Sequence, residues 1–147
     1  MSTLTQASKQ WATRPAEERF TSLDAMAAHF QAQRAISRAA VVSSRKLRAV
    51  PDGADGLLIE GPSGYGFAPS NWAFGQAAQL VGAPAAYLRQ LPAPVAADCL
   101  NYGFHVERDA SDVGVLLTKN GDAVMRAMTG PRYGRIWSGD VIDALRD

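Results

Sequence analysis

"VGVLLTKNGDAVMRAMT", residues 113–129, decides the fold. Two apolar runs flank Asn120 and Gly121, a pair that is a strong hairpin signal because a type I′ turn requires positive φ at both central positions. Closing on that pair sets Lys119 opposite Asp122, Leu117 opposite Val124, Val115 opposite Arg126 and Val113 opposite Met128, with Leu116 and Met125 on the other face. Both faces are then apolar, so the hairpin belongs inside a larger sheet or under helices. In this register Arg126 projects from an apolar face, where it needs a carboxylate, a carbonyl or an anionic ligand, because an unpaired buried charge is costly.

Upstream, "AAVVSSRKLRAV" is β-branched and then alternating, "DGADG" is a turn cluster, and "LLIEGPSGYGFAP" reads as two short strands around residues 61–64, a small meander. "TSLDAMAAHFQAQRAISRA" is a helix with Thr21 as N-cap, Asp24 as its capping-box partner, and Leu23, Met26, Ala27 and Phe30 on one face. "SNWAFGQAAQLVG" is a second helix, capped by Ser70 or Asn71 and closed by Gly82. Pro84 and Pro94 open two more, giving three short helices in a row. "SGDVIDALRD" supplies a final helix of about two turns. Residues 1–20 read as an irregular lead-in carrying Trp11, Arg14, Pro15 and Phe20.

A chain of 147 residues that is 47% hydrophobic and 20% charged falls in the globular range, and its length suits one domain. The expectation is a single domain over 1–147, with 21–147 as a compact α+β unit: a small, mostly antiparallel sheet with several short helices packed against it. The formal charge of +1 excludes a strong global field, so a nucleic-acid role needs local clustering. Two segments are basic. Residues 34–48 hold Arg34, Arg38, Arg45, Lys46 and Arg48 without an acid, and the tail holds Arg126, Arg132 and Arg135. The single cysteine, Cys99, is expected to be a small core hydrophobe on a helix, which fits a reducing, cytoplasmic setting. No apolar run has the length of a signal peptide or membrane span.

No catalytic constellation is legible. His29, His105 and Cys99 lack the paired short spacings of a zinc site, so no metal and no cofactor are expected, and no G-x-S-x-G motif is present. "GPSGYG" lacks the Lys-Ser/Thr of a phosphate loop and reads as a turn between strands. Asp109, Asp112, Asp122 and Asp140 fall near turns and helix starts, where aspartate serves as a cap. Ala78, Gly82, Leu88 and Leu91 are spaced as in a helix-turn-helix, but the second helix offers a groove chiefly Arg89, Gln90 and Tyr87, so a plain packed helical pair is the reading favoured.

The segment "TGPRYGRIWSGD", residues 129–140, gathers Arg132, Tyr133, Arg135 and Trp137 directly after the hairpin. Such side chains bind phosphates and stack on bases. The structural alternative has Tyr133 and Trp137 anchoring the last helix, with the arginines paired to Asp140, Asp143 or Glu60. A protein-binding surface is also open, since Trp, Tyr and Arg dominate binding hot spots.

"QWATRPAEERFTSLDAM", "NWAFGQAAQLVGAPAAYLRQLP", "DCLNYG" and "MRAMTGPRYGRIWSGDVIDAL" come in an order and spacing that resembles the phage/plasmid-like proteins of domain-of-unknown-function family 932. The resemblance spans nearly the whole chain. It implies a protein of phages, plasmids or integrated elements, and it implies no catalytic residue. Members continue past "RYGRIWSGDV", so it also implies a shortened member or an N-terminal part. Taken together, the expected function is non-catalytic binding of nucleic acid by Arg126, Arg132, Tyr133, Arg135 and Trp137 with Arg45, Lys46 and Arg48. The alternative is a protein-binding module that inhibits a host defence complex, in the manner of an anti-CRISPR protein.

Overall fold

Six strands form one sheet in the computed structural model: β1 (Ser37–Ser43), β2 (Arg48–Asp52), β3 (Gly56–Glu60), β4 (Gly66–Pro69), β5 (Asp112–Asn120) and β6 (Asp122–Thr129). Their order is β1-β5-β6-β4-β3-β2, and every pairing is antiparallel except β4 with β6. Five helices accompany them among the described residues: α1 (Leu23–Ala35), α2 (Asn71–Leu80), α3 (Ala85–Leu88), α4 (Ala93–Val106) and α5 (Ser138–Arg146). This is an α+β fold with a mostly antiparallel sheet. The structure describes residues 16, 19–106 and 111–146; Trp11, Arg14, Pro15 and Asp109 lie outside them. The chain divides into two compact units, one of Ile36–Arg135 and one of the two flanks.

The hairpin forms, in a register different from the expected one. Asn120 pairs with Asp122, Lys119 with Ala123, Thr118 with Val124 and Leu117 with Met125. The reason is at the turn: Gly121 alone takes positive φ, at 77°, and no non-glycine residue does among those described, so the two-residue type I′ turn is not made. Beyond Leu117 the register shifts again, and Leu116 pairs with Ala127 and Val115 with Met128. Arg126 is the extra residue of this β-bulge. Strict alternation would put Met125 and Met128 on opposite faces, and the inserted residue brings both inward, where they are 2% and 3% exposed. Met125 therefore shares its face with Leu117, Val115 and Val113, not with Leu116.

The two edge strands, β1 and β2, are consecutive in the chain and joined through the 3-10 turn Ser44–Lys46. A flat sheet of six strands holds its edges about 24 Å apart, at roughly 4.8 Å per spacing. The five residue steps from Ser43 to Arg48 reach at most about 18 Å fully extended. The sheet must curl, and its concave face carries the core. That face contributes Leu47, Ala49, Ile59, Val113, Val115, Met125 and Met128, and α2 and α4 cover part of it with Ala73, Ala77, Ala78, Ala97, Leu100 and Phe104.

Local signals fix the helix ends. The Ser70 side chain accepts from the Ala73 N–H at 3.1 Å. At the other end of α2, Gly82 has φ 68°, and the N–H groups of Gly82 and Ala83 donate to the carbonyls of Gln79 and Ala78, a Schellman ending. The third helix of the series, α4, runs for 14 residues and is not short. Its buried face is Ala93, Ala96, Ala97, Leu100 and Phe104, which turns Cys99 outward. Cys99 is exposed, not a core residue.

In the flanking unit, Ser22 rather than Thr21 caps α1, accepting from the Ala25 N–H at 3.1 Å. Asp24 is drawn away to Arg146, and Arg34 pairs with Asp140 at 2.7 Å, so α1 and α5 run antiparallel. His29 stacks between Phe20 and Phe30, with ring centroids 4.9 and 5.3 Å away.

Candidate nucleic-acid interface

The pairing of Ser43 with Asp112 and of Gly114 with Thr129 fixes where two distant basic segments leave the sheet. The turn after β1, with Arg45 and Lys46, and residues 130–133 after β6 emerge at the same end, separated laterally by about two strand spacings, near 10 Å. Leu47, 1% exposed, plugs the core and forces its neighbours Lys46 and Arg48 outward. The turn is held by the Ser44 N–H donating to the Ser111 carbonyl at 3.1 Å and the Leu47 N–H donating to Ser44 at 3.0 Å.

On the β6 side, the Tyr133 N–H donates to the Gly130 carbonyl at 3.1 Å, closing a turn with Pro131 at its second position and Arg132 at its third. Arg132 is exposed at the apex, and Tyr133 is 63% exposed. The tyrosine borders two shallow hollows of about 400 and 260 Å³, one beside Gln76 and Gln79 of α2, the other beside Val41 and Gly114. Among the described residues Arg45, Lys46, Arg48, Arg126 and Arg132 form no ion pair. Among the described residues Asp112 is exposed at the start of β5, and Glu60 stands opposite Arg48 across β2 and β3.

Other expected site residues fall elsewhere. Arg126 is on the bulge and exposed, and Val124, opposite Thr118, is off the face of Val115 and Leu117, so Arg126 has no buried charge to neutralise. Arg135 is half-buried and engaged within the protein. Trp137 belongs to the flanking unit, where the Arg34 guanidinium lies 5.1 Å from its ring centroid. Within that unit the carboxylates Asp24, Asp140 and Asp143 pair with Arg34 and Arg146. In the helical pair, α3 has only four residues and Arg89 folds back. Its guanidinium donates to the Asn71 carbonyl at 3.0 Å and to Asn71 Oδ1 at 2.8 Å, over the Phe74 ring. No recognition helix is displayed there.

Sequence reasoning missed that Arg38 parts company with its segment. It sits on the concave face of β1 opposite Leu117 of β5, the strand that carries Lys119 two residues on, and both line a hollow. Only the register, which fixes the face of each residue, separates Arg38 from Arg45. Among the described residues, no cluster of three or more His, Cys, Asp or Glu could hold a metal ion, and no helix is long and apolar enough to cross a membrane.

Fold and site together define a small α+β protein with a curled six-stranded sheet and cations gathered at one sheet end. The chain matches no protein-family model, no curated protein and no solved structure.

Proposed function

We propose that the protein binds nucleic acid, without catalysis, through the sheet end that carries Arg45, Lys46, Arg132 and Tyr133, with Arg48 and Arg126 as flanking contacts. The observation that carries this reading is the convergence of two segments, distant in sequence, whose cations are exposed and free of ion pairs among the described residues. Phosphates neutralise the cations, and the exposed Tyr133 ring offers a stacking platform for an unpaired base. A mobile-element setting in a bacterial cytoplasm, implied by the family resemblance, is part of the same proposal.

Titration of labelled single- and double-stranded oligonucleotides at two salt concentrations tests it. Four phosphate contacts give a slope of log K against log salt of about −3 for single strands. Binding that ignores salt, or that is absent at low salt, overturns the reading. The second reading, a protein-binding module that inhibits a host defence complex, draws on Trp72, Tyr102 and Tyr87, which are 73%, 70% and 59% exposed on the helices. It is favoured if oligonucleotides fail to bind while a defined defence complex is retained on the immobilised protein and released by a Trp72→Ala variant.

A further inference from the structure

We infer that the hollow inside the curled sheet is a binding site for a small amphipathic anion, a monocarboxylate with a hydrocarbon tail. The hollow has a volume of about 420 Å³, within the ordinary range of small-ligand sites. Its walls are apolar: Ala40 and Val42 from β1, Val115 and Leu117 from β5, Phe67 from β4 and Met125 from β6. Strand alternation gives it a polarity gradient. Concave-face positions run Val42, Ala40, Arg38 along β1 and Val113, Val115, Leu117, Lys119 along β5.

Because β1 and β5 are antiparallel with Arg38 opposite Leu117, Arg38 and Lys119 are diagonal neighbours at the same end of the same face, about 7–8 Å apart. Neither makes an ion pair among the described residues. An anion between the two cations is attracted by both. The Lys119 ammonium is held 4.5 Å from the Tyr65 ring centroid, and Tyr65 packs edge-on against Phe67 at 5.2 Å, so the exposed cation is anchored beside the apolar wall.

The chemistry of the lining selects the ligand class. Only Ser63 and Thr118 add uncharged polar side chains, too few to replace the hydration of a sugar or the edge of a base. A hydrocarbon tail loses nothing by entering, and its carboxylate accepts from the guanidinium and the ammonium at the mouth. This site is on the concave face, distinct from the sheet end proposed for nucleic acid, and it stands or falls separately.

The test is calorimetric titration of the full chain with decanoate and dodecanoate below their micelle concentrations, beside dodecyltrimethylammonium and a mononucleotide. Saturable one-to-one binding of the carboxylates alone is expected. An Arg38→Ala, Lys119→Ala double variant should weaken it at least tenfold, and Arg38→Lys should retain most of it. Ala40→Phe, which fills the hollow, should abolish binding; circular dichroism checks its fold, and if it does not fold the exposed charge variant decides alone. Equal binding of the cationic amphiphile, preference for the nucleotide, absence of saturable binding, or unchanged affinity in the double variant each overturns the assignment. Oligonucleotide affinity, measured in parallel, should not change in Ala40→Phe.

Discussion

Asn101 of α4 brackets Ala49 of the edge strand β2: its Oδ1 accepts from the Ala49 N–H at 2.7 Å, and its Nδ2 donates to the Ala49 carbonyl at 2.8 Å. One turn later His105 Nε2 donates to the Leu47 carbonyl at 2.9 Å. Backbone groups that an edge strand would leave open are thereby satisfied by a helix, which blunts the edge against pairing with another chain. Asn101→Ala should destabilise the fold by about 1–3 kcal/mol, since a part-buried donor and acceptor are both orphaned. Asn101→Asp should also destabilise, because a carboxylate can accept from Ala49 but cannot donate to its carbonyl. Urea unfolding with an unchanged m-value measures both, and a neutral Asn101→Ala would contradict the account.

Gly103 is where α4 passes the end of α2. A Cβ placed there would meet Val81 Cβ at 2.2 Å, and neither backbone can yield cheaply. Gly103→Ala should cost about 1–3 kcal/mol or more, against the gain that alanine normally brings to a helix interior. Val81→Gly in the same chain should recover much of the loss. Thermal unfolding of the two single variants and the double reads that coupling.

Arg126, the extra residue of the bulge, is expected to be dispensable as a side chain and not needed to keep Met125 and Met128 on one face. Arg126→Ala, on an exposed bulge, should change stability by less than about 0.5 kcal/mol. Deleting residue 126 should leave folding cooperative, because a strand without the bulge places Met125 and Met128 two residues apart, on one face, in their present pairings with Leu117 and Val115. Circular dichroism melts of both variants should show a cooperative transition, and its loss in the deletion would contradict this register.

Tyr133 should matter for unpaired bases and not for phosphates. Tyr133→Ala should weaken single-strand binding by about five- to a hundredfold, the range of one lost stacking contact, and leave the salt slope unchanged. Tyr133→Trp should preserve affinity. Arg132→Ala should do the reverse, reducing the slope by about 0.7. Oligonucleotide titrations across a salt series separate the two effects.

Much of the fold was legible because its signals are local. Ser70 and Gly82 mark the ends of α2 through bonds three to five residues away, and residues 61–64 turn β3 into β4 for the same reason. The hairpin was legible in its existence but not in its register. Asn120 does not take the positive φ that the two-residue turn needs, and the alternation around Arg126 is broken by a bulge that only packing reveals. Of the expected site, the exposed Arg132 and Tyr133 follow from a turn readable in "GPRY". Arg34 and Trp137 could not be sorted from it, since their partners, Asp140 and each other, are about a hundred residues apart in the chain.

By itself the sequence determined which segments become helix, strand and turn, because caps, glycines and apolar periodicity act over a few residues. The tertiary structure alone decided that the sheet curls, that Met125 and Met128 share a face, and that Arg45 and Arg132 emerge at one end while Arg38 lies on the concave face. Those outcomes depend on strand register and edge closure, which are set by side chains competing for one core from opposite ends of the chain.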